Sequence, residues 1–66
     1  MFQILVKGTN TIIKCKDNNV KAKQRAFALA KEDHSKEFVV TEDGVPFVAY
    51  RWCDKWEMVV CDKMGV

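Results

Sequence analysis

Four side chains in this sequence carry thiol or imidazole groups, which ligate soft metals and act as nucleophiles or bases: Cys15, Cys53, Cys61 and His34. In kind they match a zinc centre of three cysteines and one histidine, since thiolate and imidazole donors suit that metal. Their spacing does not. Cys53 and Cys61 lie eight residues apart and Cys15 is far upstream, so the close ligand pairs typical of structural zinc sites are missing. We therefore read the cysteines as small core hydrophobes and expect neither a metal nor another cofactor. A catalytic thiolate needs a helix N-terminus or a neighbouring cation, and all three cysteines fall in or beside expected strands. His34 falls at an expected helix end, where the helix dipole accounts for an imidazole without chemistry. With no glycine-rich phosphate loop either, the expectation is a protein that is not an enzyme.

A second group is suited to phosphate. Lys14, Lys16, Lys21, Lys23 and Arg25 gather around the start of the expected helix, whose free N–H groups favour anions. The net charge of +2 is small, but its distribution is uneven. Residues 1–31 carry seven cationic side chains against Asp17 alone, a net +6, while residues 32–66 carry four against eight acidic ones, a net −4. Lys21 and Lys23 also open the helix, and Glu32 and Asp33 close it. Each opposes the helix dipole at a cost of about 0.3–1 kcal/mol when exposed. Nucleic-acid binding through this basic corner is thus one expectation, although no RNP-type aromatic motif, recognition helix or zinc-finger spacing accompanies it.

The elements that must position these groups fit one domain spanning residues 1–66. Phe2–Lys7 alternates as a strand, Gly8-Thr9-Asn10 supplies a turn, and Thr11–Cys15 makes a second strand. Asp17, Asn18 or Asn19 can cap a helix from about Val20 to His34. Ala22, Ala26, Phe27, Leu29 and Ala30 share one side of it, with Lys21, Gln24, Arg25, Lys31 and Glu32 opposite. Beyond Ser35 the period becomes two. Asp43-Gly44 joins two strands as a type I′ hairpin, and Cys53–Lys55 turns the chain into a last strand, Trp56–Cys61. The expected fold is α+β: a small ββαβββ domain with an antiparallel sheet and one helix packed on one face.

Two-residue and three-residue loops at those hairpins place Val40 opposite Phe47, Tyr50 opposite Met58, Trp52 opposite Trp56 and Arg51 opposite Glu57. Because opposite residues share a face, one face collects Phe38, Val40, Phe47, Ala49, Val59 and Cys61. The other collects Val39, Val48, Tyr50, Trp52, Trp56, Met58 and Val60. Both faces are apolar, and one helix covers only one. We expect it on the Phe38/Phe47 side, leaving Tyr50, Trp52, Trp56 and Met58 as a partner-binding patch, since Tyr and Trp dominate binding hot spots. Alternatives are closure of a small barrel by the first hairpin, a one-residue slip that exchanges faces, and a helix lying over the aromatics.

These residues point to a protein-binding module, homodimeric or bound to another protein. An odd cysteine count, no secretory signal and no membrane-spanning stretch point to the cytoplasm. In size, lysine content and lack of catalytic residues the chain resembles small phage-encoded proteins that bind and inhibit a host protein. That resemblance is one of general character and covers no motif; it implies an inhibitory or anti-defence role.

Overall fold

The computed structural model describes residues 1–15 and 18–63. The elements are β1 (Phe2–Val6), β2 (Ile12–Lys14), α1 (Asn19–Glu32), β3 (Phe38–Glu42), β4 (Val45–Cys53) and β5 (Met58–Lys63). The strands form one antiparallel sheet in the order β2-β1-β3-β4-β5, with α1 packed on one face of it. The ββαβββ architecture is as the residue pattern implies. The fourteen-residue α1 is the crossover that lets β3 pair with β1 instead of continuing outward from β2.

Local chemistry explains the helix ends. The Asn18 side chain accepts from the backbone N–H groups of Val20 and Lys21, at 3.0 and 3.3 Å, which satisfies two donors that the first turn leaves open. At the far end Asp33 adopts extended dihedrals. Its carboxylate accepts from the Ser35 hydroxyl at 2.6 Å and the Ser35 N–H at 3.1 Å. Those two bonds, with Lys36 nearby, hold the Asp33 carboxyl below the usual aspartate range.

The alanine stripe lets α1 lie close to the sheet. Ala22, Ala26 and Ala30 are fully buried and repeat every fourth residue, so small side chains line one face along the helix. They meet Phe2, Ile4, Val6, Phe38, Val40, Val48, Tyr50 and Val59. Leu29 packs against this core from the helix side, whereas Phe27 is 45 % exposed and meets Tyr50 of the sheet edge-on.

The β3–β4 hairpin corrects the expected register. Its loop is the two-residue Asp43-Gly44, both with positive φ (51° and 84°), as a type I′ turn requires. Glu42 pairs with Val45 and Thr41 with Pro46, but Val40 then pairs with Val48 rather than Phe47. Phe47 is the extra residue of a β-bulge. One inserted residue shifts the rest of β4 by one position and exchanges its faces. Val48, Tyr50 and Trp52 consequently lie under α1, not on the opposite face, and Ala49 leaves the helix side. Phe47 stays on that side too, edge-on to Phe2 with ring centroids 6.1 Å apart.

The β4–β5 connection is also longer than expected. Cys53 pairs with Met58, so the loop is 54–57, four residues in place of three. Trp56 belongs to this loop, not to a strand. Tyr50 faces Cys61, Trp52 faces Val59, and Arg51 pairs through its Nε with Asp62 at 3.0 Å rather than with Glu57. Cys61 lies on the helix side as expected, though exposed.

Candidate binding surfaces

The face of the sheet away from α1 has no covering element among the described residues. Register places Ile12, Leu5, Val39 and Ala49 in one row across β2, β1, β3 and β4, ending at Asp62 on β5. On one side of that row lie Lys7, Glu37, Arg51 and Val60; on the other lie Lys14, Gln3, Thr41 and Pro46. Apart from Val60 and Pro46 the row is bordered by polar residues on both sides, which is less uniformly greasy than the sequence pattern implies. Lys7 Nζ pairs with Glu37 at 3.6 Å, and the hydroxyl of buried Thr41 donates to the Gln3 carbonyl at 3.3 Å.

Toward the β1–β2 turn this row opens into a depression of about 540 Å³. Its floor is Leu5, Ile12, Val39 and Pro46, and Lys7, Thr9, Asn10 and Thr11 rim it. Ile12 is 54 % exposed. Sequence reasoning missed this site because β2 was valued as a hairpin partner and not as a wall. The available signal was the adjacent apolar pair Ile12-Ile13: in a strand, one of the two must point away from the helix.

The four aromatic and methionine residues expected to form one patch are separated. Tyr50 is buried beneath α1, and its edge lines a shallow groove of about 330 Å³ with Val20, Lys23, Gln24 and Phe27. Burial, and secondarily the thiol of Cys61 opposite, pushes its phenol up to about 12. Trp52 is half-buried and stacks on His34, with centroids 3.8 Å apart and planes within 1°. Trp56 stands out on the 54–57 loop, and Met58 lies on the helix-free face, both more than half exposed.

The basic corner is partly assembled. Lys14, Lys21 and Arg25 line one depression of about 420 Å³ together with Cys15. Lys23 turns instead toward the Phe47 ring, its Nζ 5.8 Å from the centroid, a distance at which a cation–π attraction acts. Lys16 lies outside the described residues. The helix N–H groups expected to receive an anion are in part taken by Asn18.

His34 and the cysteines do not converge. The imidazole Nε2 lies 2.9 Å from the Lys31 carbonyl at the end of α1, and its ring is engaged by Trp52. Among the described residues, no three His, Cys, Asp or Glu side chains are grouped to hold a metal, and no helix is long and apolar enough to cross a membrane. Comparison with family models, curated proteins and solved structures finds no match.

Proposed function

We propose that this chain is a non-enzymatic protein-binding module whose docking site is the helix-free face of the sheet. The observation that carries the reading is the Leu5–Ile12–Val39–Pro46 depression, an apolar floor with a polar rim. That arrangement is the anatomy of a protein interface, in which a desolvated centre supplies affinity and a polar border excludes water. Its rim holds one cation, Lys7, already bound to Glu37. The occupant that suits it is an uncharged apolar side chain of another protein. An inhibitory role toward that protein is consistent with a body that offers a surface and no reaction centre. The three free cysteines favour a reducing compartment such as the cytoplasm.

The test uses a photo-cross-linking amino acid at Ile12, with the same group at Lys31 on the outer helix face as control. A discrete adduct from Ile12 alone, abolished by Leu5→Asp, supports the reading. Adducts of equal yield from both positions overturn it.

A second reading is favoured by one specific observation, the convergence of Lys14, Lys21 and Arg25 on a single depression. These side chains suit phosphates of a nucleic acid, and such binding weakens steeply with salt. Retardation of DNA or RNA at low salt, lost in Lys21→Glu/Arg25→Glu but retained in Leu5→Asp, would select this reading over the first.

A further inference from the structure

The two edges of the sheet are unlike. β2 is three residues long and ends in Lys14, and shortness and charge are among the ways proteins protect an edge from pairing. β5 is six residues long, contains no proline, pairs with β4 without a register shift, and begins with the uncharged run Met58-Val59-Val60-Cys61. Its outer side carries backbone donors and acceptors that no strand satisfies among the described residues.

We propose that β5 pairs with β5 of a second copy, antiparallel, about a two-fold axis through Val60. The position of the axis follows from symmetry and charge. Two antiparallel edge strands join one continuous sheet about a two-fold perpendicular to it, and opposite residues must lie on the same face. Faces alternate along a strand, so the axis passes through a residue and never between two. Through Cys61 it sets Asp62 against Val60 and Lys63 against Val59, leaving both charges opposite apolar side chains and no opposite charges meeting across the junction. Through Val59 it overlaps only three strand residues. Through Val60 it overlaps Met58 to Asp62 in full, sets Val59 opposite Cys61 and Asp62 opposite Met58, and brings Lys63 of each copy to the end of the junction where Glu57 of the other, the left-handed loop residue before β5, lies. Both ends of the junction then carry opposite charges. The Cys61 side chain, exposed in the single chain, gains the cover of a neighbouring Val59. The product is a ten-stranded sheet with both helices on one side and both helix-free faces on the other. This inference stands independently of what binds those faces.

An interface of one strand pair is small, so the association is weak and concentration-dependent. Sedimentation of the full chain over a wide concentration range should show its mass rising from one copy to two. Val60→Lys places two lysine side chains directly opposite at the axis, their Cβ atoms roughly 5 Å apart, and should weaken association at least about tenfold. Lys63→Glu should weaken it as well, and Glu57→Lys combined with Lys63→Glu should restore it. That rescue also separates lost pairing from lost folding. A single-copy mass at every concentration overturns the proposal. So does a dimer indifferent to Val60→Lys, or one removed by Leu5→Asp and not by Val60→Lys, which would move the contact to the sheet face.

Discussion

Ile4 and Leu5 are neighbours in β1, both aliphatic and of equal size, yet they belong to different environments. Ile4 is fully buried beneath α1, in the row that meets the alanine stripe. Leu5 is half-buried on the face that no described element covers, where it floors an open depression. The alternation of a strand sends successive side chains to opposite faces, and a single helix then makes one of them core. The helix side of the sheet thus holds most of the core, and recognition is the task proposed for the other side, where Val39, Thr41 and Ala49 are also buried.

The sharpest test of that division is truncation at each neighbour. Ile4→Ala should cost about 2–5 kcal/mol, because the close-packed site beneath α1 cannot collapse around the cavity. A domain of this length has on the order of 3–10 kcal/mol in all, so much of the chain would unfold. Leu5→Ala, at a partly exposed position, should cost less, about 1–2 kcal/mol. Chemical denaturation of both variants measures the difference. Equal costs would mean that the open face is as much core as the other.

Tyr50 reports on the dryness of the helix side. It is the only tyrosine in the sequence, so its phenolate absorbance can be followed without interference. Burial raises its ionisation to about 12, whereas an unfolded tyrosine ionises near 10. The fold therefore prefers the neutral phenol. Its contribution to stability is fully present below about pH 10 and declines as the pH rises toward 12. An absorbance midpoint near 10 in the folded protein would show that water reaches Tyr50 freely through the groove beside Phe27.

The placement of Tyr50 also shows what could and could not be read from residue types. Asp43-Gly44, the capping Asn18 and the alanines of α1 act over a few residues, so the strands, the helix and their order were legible. The bulge at Phe47 was not. It inserts a residue after a hairpin loop of the expected length, and the adjacent Pro46 is the one local feature that bears on it. Pro46 has no N–H to give to a ladder, which in retrospect marks the place where regular pairing is weakest. The 54–57 loop displaced the register a second time, by three positions. Both displacements are odd, so they cancel for β5: Val59 lies on the helix side and Met58 and Val60 on the other, as the simple count implied. Only β4 carries the error, and with it Tyr50 and Trp52. For the candidate site, one helix and two partly apolar faces imply a side that no described element covers. Which residues form it depended on a register that local signals do not encode.

The smallest expected effect is at Ile12. It sits on the short edge strand β2, more than half exposed, with one neighbouring strand and no helix above it. Ile12→Ser should change stability by less than about 0.5 kcal/mol, the range of surface substitutions away from packed features. On that face it lies beside Leu5 and lines the depression with Val39 and Pro46. An apolar side chain that contributes little to folding has little structural reason to be isoleucine, so a small measured cost leaves recognition as the better account of the residue. A cost of 2 kcal/mol or more would place Ile12 in the core and close the depression as a docking site.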